Sequence, residues 1–255
     1  MHHAHAAGLA FAANAWPLDD TRSTLLFIHG AGSSGAFWAE QMRGLAARYN
    51  LLAVDLPGRG GSPGPGQERI ADYSQTLNAL VRELASPRLV AVGFSMGGAI
   101  VQQMLLDRPQ TLAAAVLIAT GAKLRVHPQI LELIGSDYPA YLSQIAATAA
   151  SPQTPPAQIQ AAIDDRAQCD PKVCLGDFLA CDRFDLREQI TAIDVPVLII
   201  NASDDLLTPP AFADFLAQQI PHSRRVQLRD AGHFVAVEKP AAVNQAIEEF
   251  LRELH

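Results

Sequence analysis

Gly93-Phe94-Ser95-Met96-Gly97-Gly98 is the stretch whose reading decides the fold. It fits G-x-S-x-G, a serine on a tight turn. Three fixed positions match by chance in many proteins, so the flanks carry the inference. Arg88-Leu89-Val90-Ala91-Val92 runs into the turn, apolar and partly β-branched, and predicts a short buried strand. Ala99-Ile100-Val101-Gln102-Gln103-Met104-Leu105-Leu106 runs out of it with helical apolar spacing. Ser95 therefore stands at a sharp strand-to-helix junction. Such a junction brings backbone segments close together, and Gly93 and Gly97 carry no Cβ to obstruct them. The helix start also turns free N–H groups and a partial positive charge toward Ser95.

A serine in that position becomes a nucleophile only with a base, and the base needs an orienting acid. The C-terminal part supplies both types. Asp230-Ala231-Gly232-His233-Phe234 follows an expected strand, Arg225-Val226-Gln227-Leu228. Asp204-Asp205-Leu206-Leu207-Thr208-Pro209-Pro210 follows another, Val197-Leu198-Ile199-Ile200. Acid, base and nucleophile appear in the order Ser, Asp, His. With these residues in that order the chain resembles the α/β-hydrolase family, over about residues 25–251. The family's acid stands four residues before a proline, which selects Asp205 through Pro209 over its neighbour Asp204. Ala202 departs from the glycine the family carries at that turn. The resemblance implies the catalytic set Ser95, Asp205 and His233.

Outside these motifs the strands are legible as short apolar runs. Leu25-Leu26-Phe27-Ile28 ends at the small-residue loop His29-Gly30-Ala31-Gly32-Ser33-Ser34-Gly35. By resemblance this loop supplies the Ala31 N–H to an oxyanion hole, and the Met96 N–H completes it. Two such donors matter because an attacked carbonyl oxygen turns negative, and losing one donor typically costs about 3 kcal/mol of barrier. His29 is expected to be a structural hydrogen-bonder, and Trp38 to pack in the core. Leu51-Leu52-Ala53-Val54 predicts the next strand, ending at Asp55-Leu56-Pro57-Gly58-Arg59-Gly60-Gly61-Ser62. That loop is similar to the family's D-x-P-G-x-G-x-S and is assigned a structural role, since no Gly-Lys-Ser/Thr phosphate loop occurs. Residues 72–84 predict an amphipathic helix, 112–119 a strand, and 240–254 a closing helix with proline in its first turn.

Strand and helix alternate as far as residue 121 and again from 191. This predicts an α/β-hydrolase core over 1–121 and 191–255, with a mostly parallel central sheet and helices on both faces. Residues 122–190 show no clear strand. Helical patches recur near 130–133, 141–149 and 159–167. By resemblance this is a helical cap insertion over the site. Its aromatics Tyr138, Tyr141, Phe178 and Phe184 are the expected lining of a substrate pocket.

Composition removes several function classes. The chain has 255 residues, 49% hydrophobic and 18% charged, with a net charge of −7. Scattered Lys and Arg in an acidic protein argue against nucleic acid as a partner and against docking to an acidic membrane. The longest apolar run, 112–119, is 8 residues, too short to span a bilayer. Residues 6–13 are mostly apolar, but only His2, His3 and His5 precede them, with no charged start, so mature sequence is expected over a signal peptide. Those three histidines are expected in a frayed, solvated terminus. Cys169, Cys174 and Cys181 form no disulfide framework and no zinc spacing. They are expected as buried, reduced thiols of a cytoplasmic protein.

The expected activity is a cofactor-independent serine hydrolase acting on small to medium carboxylic esters, with no metal. A monomer or homodimer is expected. Perhydrolase or haloperoxidase, lactonase and carbon–carbon bond hydrolase relatives share the triad and stay open. Dehalogenase and epoxide hydrolase relatives carry Asp where Ser95 stands, and lyases of the menaquinone pathway usually carry Arg where Ala99 stands. A ligand receptor on the same fold is the alternative of another class.

Overall fold

A computed structural model describes residues 1–108 and 110–254. Among the described residues eight strands form one sheet: β1 (His2–Ala6), β2 (Leu9–Ala13), β3 (Thr24–Ile28), β4 (Asn50–Val54), β5 (Leu89–Phe94), β6 (Ala114–Ile118), β7 (Val197–Ala202) and β8 (Ser223–Leu228). Their order is β1-β2-β4-β3-β5-β6-β7-β8. β1 and β2 pair antiparallel with each other, β2 pairs antiparallel with β4, and every other neighbour is parallel. The expected mostly parallel α/β-hydrolase sheet is therefore present.

The continuous apolar strands have a simple reason. Successive side chains point to opposite faces, and both faces are covered. Leu26, Ile28, Ala91, Leu117 and Ile199 join one buried cluster, while Leu25, Phe27, Val92, Ile118 and Ile200 join the other. Among the described residues three α-helices of the core come before the insertion: α1 (Ala39–Gly44), α2 (Ile70–Leu84) and α3 (Met96–Asp107). The insertion contributes α4 (Pro128–Ser136), α5 (Tyr138–Thr148), α6 (Pro156–Ala167) and α7 (Pro171–Asp182). After it come α8 (Pro210–Gln219), α9 (Val235–Glu238) and α10 (Pro240–Glu253). α2 buries Leu77, Leu80 and Val81 on one side of the sheet, and α10 buries Val243, Ile247, Phe250 and Leu251 on the other. Trp38 is fully buried against Phe27, Phe37 and Phe94, a core residue as expected.

Two expectations are corrected here. His2, His3 and His5 are not frayed: they lie in β1, paired with Ala13, Ala12 and Ala10. Five backbone pairs with β2 hold that edge. Cys174 and Cys181 are buried free thiols, but Cys169 is only half-buried.

The chain runs from β3 outward to β4, then returns past β3 to β5. The connections leaving β3 and β5 thus diverge at the carboxyl ends of two neighbouring strands. Open α/β sheets form their crevice at such a reversal. The loop after β3 begins with His29, and the turn after β5 holds Ser95. Residues 122–190 leave the sheet after β6 and return before β7. Their ends meet in an antiparallel bridge between Lys123 and Asp185, with Lys123 Nζ 2.6 Å from the Asp185 carboxylate. The insertion's apolar residues enter both buried clusters, Tyr141 and Ile145 in one and Ala180 and Phe184 in the other.

Among the described residues no helix is long and apolar enough to cross a membrane.

Candidate active site

Ser95 is the residue that precedes α3, with φ 53° and ψ −116°. A positive φ is uncommon for a residue with a Cβ and marks strain held by its surroundings. Those surroundings are visible. The Ser95 N–H donates to the Ile118 carbonyl at 2.9 Å, so the β5–β6 ladder runs through the turn. The Ser95 carbonyl accepts from the Gly98 and Ala99 N–H groups at 3.0 and 3.2 Å, and from the Thr120 hydroxyl at 2.8 Å. The two framing glycines are required by close approach. A Cβ on Gly97 would lie 2.2 Å from the Ile28 carbonyl oxygen, and one on Gly93 would lie 2.3 Å from that of Gly97.

Two loops bring the other groups to Ser95. The Ser95 hydroxyl lies 3.0 Å from His233 Nε2, and His233 Nδ1 lies 2.9 Å from Asp205 Oδ2. Asp205 follows β7 and His233 follows β8, neighbouring parallel strands. The Asp205 carboxylate has four donors. Leu207 and Thr208 N–H groups reach Oδ1 at 2.9 Å each, and the Thr208 hydroxyl reaches Oδ2 at 2.7 Å beside His233. Burial pushes this carboxyl up, but the interaction with His233 and the Thr208 donors outweigh it. The net direction is below the ordinary carboxylate value, so Asp205 is ionised. An acceptor on Nδ1 places the imidazole proton there, leaving Nε2 free to accept from Ser95.

Asp204 points elsewhere. Its carboxylate accepts from the Ser151 hydroxyl at 2.6 Å and the Ser203 hydroxyl at 2.7 Å. The loop carrying His233 is fixed by Glu238, which is 5% exposed and accepts from the Gly232 N–H at 3.0 Å and the Ser151 N–H at 2.9 Å.

Ala31 lines the cavity that holds Ser95 and His233, and Met96 is the first residue of α3, beside Ser95. Neither N–H has a protein acceptor among the described residues. The loop carrying Ala31 is held from both sides. Below it, His29 Nδ1–H donates to the Gly30 carbonyl at 2.9 Å, and Nε2 accepts from the Leu56 N–H at 3.1 Å. Burial pushes this imidazole toward its neutral form, so both nitrogens serve structure, as expected. Above it, insertion residues grip the loop. The Ala31–Gly32 peptide gives its carbonyl to Arg166 and its N–H to Asp177 Oδ2 at 2.9 Å. Asp165 accepts from the Ser33 hydroxyl and the Ser34 N–H, each at 2.9 Å. Asp177 also takes the Tyr73 hydroxyl at 2.5 Å and pairs with buried Arg59. The Asp55 loop is structural, its carboxylate accepting from the Gly35 and Gly61 N–H groups at 2.8 Å each.

The cavity has a volume of about 370 Å³, within the range of small-molecule sites. Leu206 and Leu207, both exposed, stand at its edge. Of the four aromatics expected to line it, only Phe178 does so. Tyr141 is fully buried behind the wall, with its hydroxyl accepting from Arg166 Nη1 at 3.0 Å. Tyr138 turns its hydroxyl to the Arg166 carbonyl at 2.8 Å. Phe184 is packed in the core cluster beside α3. A helix places apolar residues every three to four positions, and that spacing does not tell a core-facing aromatic from a cavity-facing one. Sequence reading missed Thr208, Arg166, Asp177 and Glu238. Only Thr208, three residues after Asp205, had a local signal, because Asp followed closely by a hydroxyl residue marks a self-bonded turn.

Among the described residues no group of three or more His, Cys, Asp or Glu side chains is arranged to hold a metal ion.

A model of the alpha/beta hydrolase family matches residues 25–246, and the chain belongs to that family. It is 27% identical over 248 residues to 3-oxoadipate enol-lactonase 2 of Acinetobacter baylyi, covering 92% of this chain and 90% of that protein. It is also 27% identical over 231 residues to the pimeloyl-acyl-carrier-protein methyl ester esterase of Neisseria meningitidis, covering 85% and 88%. The crystal structure of an enol-lactonase from Burkholderia xenovorans has the same fold. Its TM-score is 0.88, at 22% identity, over 98% of this chain and 100% of that one.

Proposed function

We propose that the protein is a serine hydrolase that cleaves small to medium carboxylic esters through an acyl-enzyme. The observation that carries this is the continuous relay from Ser95 Oγ to His233 at 3.0 Å and from His233 to Asp205 at 2.9 Å. In the reaction His233 Nε2 takes the Ser95 proton as Oγ attacks the acyl carbon. Asp205 stabilises the imidazolium and holds its tautomer. The Ala31 and Met96 N–H groups receive the oxygen as it becomes negative. His233 then gives its proton to the departing alkoxide, and the ester C–O bond breaks. Water attacks the acyl-enzyme, losing its proton to His233, and Ser95 leaves with that proton restored.

Residues 122–190 act in this reading as the cap that closes the cavity, with Phe178 on its wall. One chain supplies every group named, so turnover needs no partner subunit. Reduced Cys169, Cys174 and Cys181 fit a cytoplasmic setting. A lactone is a cyclic ester and breaks the same bond. The likeness to an enol-lactonase over 92% of the chain makes lactones part of the substrate panel. Turnover of p-nitrophenyl butyrate by the parent, and its loss in Ser95→Ala with folding intact, tests the proposal. A Ser95→Ala protein within about tenfold of the parent overturns it.

A further inference from the structure

Among the described residues Arg59 and Arg166 are buried arginines, and the fold neutralises them differently. Arg59 is 3% exposed and paired with Asp177. Arg166 is 5% exposed, and no carboxylate among the described residues pairs with it. Its Nη1 donates to two neutral groups, the Ala31 carbonyl and the Tyr141 hydroxyl. Nε is buried without an acceptor, and Nη2 donates to no protein group among the described residues. The Phe234 ring lies 5.7 Å from the guanidinium carbon, which softens the burial without cancelling the charge.

The neighbours that could turn negative do not. Burial pushes the Tyr141 hydroxyl and the Cys174 thiol above their ordinary values, so both keep their protons near neutral pH. The guanidinium cannot shed its own proton. A buried charge without a partner is among the costliest arrangements in a folded protein. A fold that pairs Arg59 and leaves Arg166 open invites a counter-charge from outside.

Arg166 also borders the reacting groups. It lines the cavity shared by Ser95 and His233. Among the described residues no Asp or Glu lines that cavity, while Arg125 and His127 stand at its exposed rim. The chain as a whole carries −7, so the lining runs against the overall charge. Complementary charge of this kind selects partners. The bond from the guanidinium to the Ala31 carbonyl ties it to the loop that grips the ester oxygen. The counter-charge therefore sits a short carbon chain from the ester carbonyl.

Resting on the hydrolase reading above, we propose that Arg166 is the counter-ion of a substrate carboxylate, and that the preferred substrates are monoesters of short dicarboxylic acids. Monomethyl glutarate and methyl valerate serve as probes, since they differ by a carboxylate in place of a terminal methyl. The parent is expected to hydrolyse the monoanion with kcat/KM at least about tenfold above the neutral ester. In Arg166→Gln that ratio is expected to fall about 30-fold or more, as for loss of one member of a buried charge pair. Equal losses on both esters would mean that Arg166 only positions Ala31, and would overturn the proposal. So would a parent that shows no preference for the monoanion, whether or not Arg166→Gln folds. Calorimetry separates this from the hydrolase reading. Ser95→Ala should bind monomethyl glutarate, and the Ser95→Ala, Arg166→Gln pair should bind it at least tenfold more weakly. Charge-dependent binding without turnover by the parent refutes the hydrolase and keeps the anion site. Turnover without any charge preference does the reverse.

Discussion

Asp205→Asn is expected to abolish most turnover by a route that can be traced atom by atom. Asp205 Oδ1 accepts two backbone N–H groups, from Leu207 and Thr208, at 2.9 Å each. An asparagine must place its carbonyl oxygen there, because its NH₂ would meet two donors. The NH₂ then takes the place of Oδ2 and faces His233 Nδ1, now 2.9 Å from an acceptor. It donates to Nδ1, so the imidazole proton moves to Nε2. Nε2 lies 3.0 Å from the Ser95 hydroxyl and can no longer take its proton. In a triad of another fold the same change lowers kcat about 10⁴-fold, or about 5 kcal/mol at 1.36 kcal/mol per tenfold. Asp204→Asn is the control. Among the described residues the side chains its carboxylate bonds are the Ser151 and Ser203 hydroxyls, and an amide oxygen serves one of them. Its loss should stay under about tenfold. The assay is kcat on p-nitrophenyl butyrate for both variants, with circular dichroism to confirm folding. Asp205→Asn within tenfold of the parent, or the reverse ranking, refutes the tautomer argument.

Further expectations follow from the same contacts. The folded Asp205 carboxyl lies below its unfolded value, so its contribution to stability is full above pH about 4 and is lost as pH falls through the folded value. The stability gap between the parent and Asp205→Asn, read by urea unfolding, should therefore shrink between pH 7 and pH 3, and a constant gap would contradict this. Asp177→Ala strands buried Arg59 and frees the Gly32 N–H. It should cost about 3–5 kcal/mol in unfolding free energy, and a loss under 1 kcal/mol would count against the network. Phe178→Ala should shift the preferred acyl length across p-nitrophenyl acetate to octanoate. Phe184→Ala should lower stability by about 3–5 kcal/mol and leave that preference alone; a swap of the two phenotypes would place the wrong aromatic on the cavity wall.

Most of the sheet was readable because its physics is local. Residues 25–28, 51–54 and 197–200 are continuous apolar runs that only a doubly covered strand can bury, and each lies inside an observed strand. Ser95, Asp205 and His233 were readable as residue types following strands in order. The choice of Asp205 over Asp204 needed a proline four residues on and had no support in composition. The insertion was harder. α7 was missed because Val173, Cys174, Leu175, Phe178, Leu179, Ala180 and Cys181 surround the helix instead of forming one stripe, with Gly176 and Asp177 between them. Tyr141 and Phe184 look like pocket residues by spacing, yet each meets the core. The grip of Asp165, Arg166 and Asp177 on the loop after β3 spans 131 to 145 residues. No local pattern announces such a pairing, because each side chain reads as an ordinary solvated charge until the fold brings the loop to it.

The most direct test is to treat the parent with a fluorophosphonate, follow p-nitrophenyl butyrate turnover as label accumulates, and locate the adduct by peptide mass spectrometry. One label per chain, on Ser95, with activity falling in step, is the predicted result, together with no label and no turnover in Ser95→Ala. A labelled residue other than Ser95, or a parent that turns over the ester while Ser95 stays unmodified at full inhibition, would contradict it.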